Sequence, residues 1–150
     1  MVPKHFLEMA HAYRLLCELD PRQLRKLLPL GEERQYQKDE IIFREGDRAA
    51  YLSLIVSGEV ILEKIAAGGA VPIQTLRPGE AMGWSALTED GHAQFRARAL
   101  SPVETIVFPG DRLREACDRD TEMGYHLMKQ LLRVAAQRLD AVREQAVLKG

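Results

Sequence analysis

The chain has 150 residues, 46% hydrophobic and 29% charged, with a net charge of -1 and a pI near 6.4, which fits one soluble domain with its own core. Nothing in this balance supplies a global basic field for nucleic acid or an anionic membrane. The start, Met1-Val2-Pro3-Lys4-His5, has no apolar signal core, no apolar run approaches membrane-spanning length, and the expected location is the cytoplasm.

Residues 5–17 place Phe6, Leu7, Met9, Ala10, Tyr13, Leu16 and Cys17 at helical spacing. Asp20-Pro21 then predicts a second short helix, with Asp as N-cap and Pro at the first helical position. Leu24, Leu27 and Leu28 form its apolar face, and Pro29 with Gly31 ends it. From residue 35 the period changes. Residues 41–43, 51–56, 60–62, 71–76, 95–100 and 103–108 are short β-rich runs separated by Gly46-Asp47, Ser57-Gly58, Gly68-Gly69, Pro78-Gly79, Asp90-Gly91 and Pro109-Gly110. Such closely spaced strands suggest an antiparallel sandwich or roll. Helix returns at Asp111, read as an N-cap, and continues after Asp120 to the end.

The last segment carries two apolar stripes. Tyr125, Met128, Leu132, Ala135, Leu139, Val142 and Ala146 follow a 3,4 spacing, the pattern of a two-helix seam. Leu127, Leu131 and Val134 form the second. Two stripes need two surfaces, so the helix is expected to pack on its own β-domain and on the same helix of a second copy. The charges at Arg133, Arg138, Asp140, Arg143, Glu144 and Lys149 read as a solvated face.

Classical site chemistry is sparse. Cys17 and Cys117 have no zinc-type spacing and read as free thiols. His5, His11, His92 and His126 are scattered, so no metal site is expected. Glu80, Glu89, Asp90 and His92 lie in loops without nucleophile–base spacing, which argues against an enzyme.

Glu40 to Asp47, followed by Tyr51 to Val60, resembles the cyclic-nucleotide-binding domain of catabolite-activator-type (Crp/Fnr-like) bacterial regulators. The resemblance covers about residues 20–148. It implies a mainly β α+β fold: an antiparallel β-roll or jelly roll flanked by N-terminal helices and a long C-terminal helix. Residues 1–31 would form the N-terminal helices, 32–110 the roll, and 111–150 the short helix and the long dimerisation helix. Gly83-Trp84-Ser85-Ala86-Leu87, with Phe95-x-Ala97-Arg98-Ala99 and Gly124-Tyr125-x-Leu127-Met128, also resembles a subgroup of small single-domain members. Those members stop after the long helix, so no DNA-binding domain is expected here, and the output would go to a protein partner.

The resemblance also implies where a ligand sits. Arg77-Pro78-Gly79-Glu80-Ala81-Met82-Gly83 looks like the start of the family's phosphate-binding cassette. The candidate ligand-binding residues are Gly79, Glu80, Met82, Gly83, Trp84, Ser85, Ala86, Ala93 and Gln94. In the family a Glu accepts the ribose hydroxyl and an Arg pairs with the cyclic phosphate; here Trp84 and Ala93-Gln94 stand at those positions. Losing both contacts removes about 2.5–4 kcal/mol, roughly a hundredfold or more in affinity. The expected ligand is therefore a weakly held cyclic nucleotide (cAMP or cGMP) or another small anion. Trp84 has two readings: a core side chain filling the cavity, or a platform for a planar ligand. Arg96 and Arg98 alternate with Phe95, Ala97 and Ala99 and are expected to face solvent, which leaves His92 or Arg96 as weak substitutes for the missing cation.

Overall fold

The computed structural model describes residues 4–149; the side chains of His5, Leu7 and Lys149, named above, lie outside the described set. The N-terminal segment is not one helix. It forms α1 (Lys4–Met9) and two 3-10 turns, Ala10–Ala12 and Arg14–Leu16. Tyr13 interrupts them in an extended conformation, its ring 4.7 Å from that of Phe6. The Arg14 N–H then reaches the Gly79 carbonyl, so a tertiary contact outweighs the helical pattern.

Helix α2 (Pro21–Leu27) starts as its sequence predicts. Asp20 accepts a hydrogen bond from the Gln23 backbone N–H at 2.8 Å, and the Gln23 side chain accepts one from the Asp20 N–H at 3.0 Å. Asp20→Ala is expected to cost about 1 kcal/mol and lower the melting temperature by about 2–4 °C, checked by thermal denaturation.

Eight strands follow: β1 (Glu32–Tyr36), β2 (Ile41–Phe43), β3 (Tyr51–Ser57), β4 (Val60–Ala66), β5 (Gly69–Leu76), β6 (Ala81–Met82), β7 (Arg96–Ala99) and β8 (Val103–Pro109). They make two antiparallel sheets, ordered β1-β8-β3-β6 and β2-β7-β4-β5. Strand β1, rich in charged residues, and the two-residue β6 add to the sequence reading.

Both faces of β3 and β8 are covered. Leu52, Leu54, Ile106 and Phe108 join the N-terminal helices and the long C-terminal helix in one apolar cluster. Ile55 and Val103 join Val60, Leu62, Leu76, Phe95 and Ala97 in a second cluster inside the roll. Burial on both faces explains why these strands read as nearly continuous apolar runs. Strand β7 has one covered face, and it alternates.

Helix α3 (Gly110–Arg119) has Pro109 at its N-cap, two residues before the expected cap Asp111. Asp111 lies inside the first turn and does not cap the helix, because the chain turns immediately at the end of β8. Helix α4 (Thr121–Lys149) begins where Asp120 accepts a hydrogen bond from the Met123 backbone N–H. Its core stripe, Leu127, Leu131 and Val134, is buried. Tyr125, Met128, Leu132 and Leu139 of the other stripe are exposed, Leu132 by 71%, and Ala135 is half-buried. Val142 departs from that stripe and packs against the cluster inside the roll. Among the described residues, no helix is long and apolar enough to cross a membrane.

Candidate ligand pocket

Between the two sheets lies a cavity of about 250 Å³, close to the lower limit of about 300 Å³ for small-molecule pockets. One wall comes from the cassette: Met82, Gly83, Trp84 and Ser85, with Ala93 and Gln94 of the following loop. Another comes from Arg34 and Tyr36 of β1 and from Tyr51 and Ser53 of β3. Arg138 of α4 also borders it.

Gly83 sets the shape of the cassette wall. Its φ is +80°, and a Cβ there would lie 2.3 Å from the Tyr51 carbonyl oxygen. Only glycine allows β6 to turn into the four-residue 3-10 segment Trp84–Leu87 so close to β3. The Trp84 indole is half-buried and packs on the helix-side cluster while lining the cavity. It does not fill the cavity as one expectation had it: the indole packs against the helix-side cluster and forms part of the wall of a space that remains beside it.

The cassette residues do not all meet in the cavity. Gly79 and Glu80 line a separate open groove with Arg14, Gln130 and Arg133. Ala86 is fully buried, and its carbonyl accepts a hydrogen bond from Arg114 Nη1 at 2.7 Å, which ties the cassette to α3. His92 is exposed, bridges to Arg48 and is absent from the cavity lining.

Arg96 and Arg98 point away from the roll interior, as their alternation implies, but they do not simply face solvent. Arg96 Nη2 donates to Glu63 Oε2 at 2.6 Å and Arg98 Nη2 to Glu63 Oε1 at 2.8 Å, and both arginines are half-buried. Burial acts to raise the Glu63 carboxyl, but the hydrogen bonds from Arg98 and Arg96 outweigh it and hold the group below the usual carboxylate range. This pairing commits Arg96 to the outer face, so it is not a substitute for the cassette cation.

The residue that sequence reasoning misplaced is Arg138. It is only 4% exposed, not part of a solvated face. Its Nη2 donates to the Ala81 carbonyl at 2.8 Å, and its Nε has no partner. A signal was present: Arg138 continues the buried stripe Leu127, Leu131, Val134 by the same 4,3,4 spacing. Arg34 is a second cation in the lining, its guanidinium 4.1 Å from the centre of the Tyr51 ring. Burial, the leading influence, pushes the Tyr36 phenol up, so it remains a hydrogen-bond donor at neutral pH.

Among the described residues, no group of three or more His, Cys, Asp or Glu side chains is placed to hold a metal ion. Cys17 is exposed and Cys117 buried, both as free thiols.

The sequence model of the cyclic nucleotide-binding domain matches residues 33–120, more than half of the chain. A crystal structure from Geobacter metallireducens is 28% identical, covers 93% of this chain and 99% of its own, and has a TM-score of 0.80. The catabolite activator protein of Thermus thermophilus is 27% identical over 87% of this chain and 63% of its own, with a TM-score of 0.71. A cyclic nucleotide-binding domain from Methylobacillus flagellatus shares the fold at 21% identity, covering 98% of this chain and 83% of its own, with a TM-score of 0.81. No curated protein matches in sequence.

Proposed function

Because this chain belongs to the cyclic nucleotide-binding domain family, whose members are non-enzymatic sensors and regulators, we propose that it is a cytoplasmic small-ligand sensor with altered cyclic nucleotide specificity. It acts as a homodimer through α4 and passes its signal to a protein partner. One observation supports this most: a single cavity is bounded by both the cassette and α4. A ligand there touches the pocket wall and the helix at once. Occupancy then shifts the packing of α4 on the roll, and with it the dimer.

The altered specificity rests on the cassette. Trp84 and Ala93-Gln94 supply neither a carboxylate for a ribose hydroxyl nor a guanidinium for a phosphate. The indole instead offers a flat apolar surface of the kind that planar ligands stack on. Trp84 is the one tryptophan of the chain, so its fluorescence reports occupancy directly. Titration with cAMP and cGMP is expected to give dissociation constants of about 100 μM or weaker. Saturable low-micromolar binding of either would overturn the claim of altered specificity.

A further inference from the structure

We propose that Arg138 is the residue that binds the anionic group of the ligand, so that the ligand's charge is read by the long helix and not by the cassette. This rests on the cavity being a ligand site. The ligand class is a small organic oxyanion with a flat apolar body.

Arg138 occupies a core position of α4 after Leu127, Leu131 and Val134, yet its guanidinium is buried with one hydrogen bond and forms no ion pair among the described residues. A buried charge without a counter-ion is destabilising, and mutation usually removes it unless something compensates. The same protein treats its buried Glu63 differently, by giving it two arginines. Burial pushes Arg138 down to about 10, with Glu80 opposing only in part. The compensating partner is therefore sought in the space that Arg138 borders.

That space is electropositive and flat-walled. Arg34, Arg48 and Arg138 line it against one acid, Asp47. Asp47 is exposed and already accepts a hydrogen bond from the Arg44 backbone N–H. Trp84, Tyr36 and Phe95 supply aromatic surface. Arg138 borders this space with Nη2 engaged to the Ala81 carbonyl and an Nε that has no partner among the described residues, and guanidinium–oxyanion hydrogen bonds are short, strong and commonly bidentate. Of the other cations in the lining, Arg34 lies over the Tyr51 ring and Arg48 is exposed, whereas Arg96 and Arg98 are held by Glu63 and His92 lies outside the lining. Arg138 also donates to Ala81 of β6, so one side chain joins α4, the cassette strand and the ligand.

Cyclic nucleotides and aromatic carboxylates share this chemistry, and neutral counterparts separate charge from shape. The probes are cAMP, cGMP and benzoate, each paired with adenosine, guanosine or benzamide, read by Trp84 fluorescence on the full chain. At least one oxyanion is expected to saturate and to bind about tenfold or more tighter than its neutral counterpart. Arg138→Gln is expected to abolish that preference while leaving the neutral compound's affinity within about twofold. His92→Ala is expected to change neither. Removing an unpaired buried charge should leave the melting temperature of Arg138→Gln at or above that of the wild type. A measurement on the wild type stands beside the variant: the Arg138 guanidinium N–H resonances shift on titration with the oxyanion and not with its neutral counterpart. Equal binding of charged and neutral probes, or undiminished oxyanion binding by Arg138→Gln, overturns the role of Arg138 and leaves the pocket intact. If none of the six compounds alters Trp84 emission, the pocket reading falls with it.

Discussion

Leu132→Glu is expected to convert a dimer into a monomer without unfolding the domain. The side chain is 71% exposed on α4, so the isolated chain loses no core contact when it changes. Its neighbours along the same face, Tyr125, Met128 and Leu139, are also exposed. A run of large apolar side chains at 3,4 spacing is what a partner helix buries. Burying one leucine contributes about 1.5–3 kcal/mol, and a two-fold interface contains each position twice. The single substitution therefore removes about 3–6 kcal/mol, which weakens association about a hundred- to ten-thousand-fold. Sedimentation velocity checks this, with thermal denaturation confirming a folded chain. A wild type that sediments as a monomer at high concentration, or a variant that remains dimeric, would sink the seam.

The C-terminal end of that seam departs from the sequence pattern, and the reason is geometric. Val142 shares a heptad position with Met128 and Ala135, yet it packs against the cluster inside the roll. Periodicity names the residues that share a helix face; it does not say where a curved β-surface meets that face. Arg138 shows the same limit from the other side. Its spacing after Leu127, Leu131 and Val134 put it on the buried stripe, but its charge pointed to solvent. The charge was the misleading cue, because only the fold brings this helix position against the cavity. The roll was legible because turn glycines and β-rich runs are local signals. Strand β1, which reads Glu-Glu-Arg-Gln-Tyr, carried no such signal, since its identity as a strand comes from pairing with β8, some seventy residues later. The absence of the family's Glu and Arg from the cassette was visible at once. What lies opposite the cassette was not, because β1, β3 and α4 are brought there by tertiary structure alone.

The outer-face triad of Glu63, Arg96 and Arg98 gives the second large effect. Strands β4 and β7 pair so that Glu63 lies opposite Arg96, and Arg98 lies opposite Ile61 on the same face. Glu63 is nearly buried, 4% exposed, with Arg98 on Oε1 and both Arg96 and, at 3.5 Å, Arg98 on Oε2. Glu63→Gln removes the charge, keeps the size and leaves Arg96 and Arg98 sharing one weak acceptor, with only the exposed Asp39, 3.4 Å from Arg98, as a remaining carboxylate. Breaking a fully buried pair costs about 3–5 kcal/mol. Because both arginines reach water, the expected loss is discounted to about 2–3 kcal/mol, or about 4–12 °C in melting temperature. The pH dependence has a definite sign. Glu63 is held below its unfolded value of 4.5, so the unfolded chain binds the proton more readily. The stabilisation is complete above that value and is lost as the pH falls through the folded one. The gap between wild type and Glu63→Gln is therefore expected to be constant from about pH 6 to 8 and to narrow progressively as the pH falls below 4.5. Denaturant midpoints measured across that range decide the matter. A gap that persists undiminished into strong acid would mean that the glutamine disturbs packing, and that the carboxylate charge is not what holds the two strands' outer faces together.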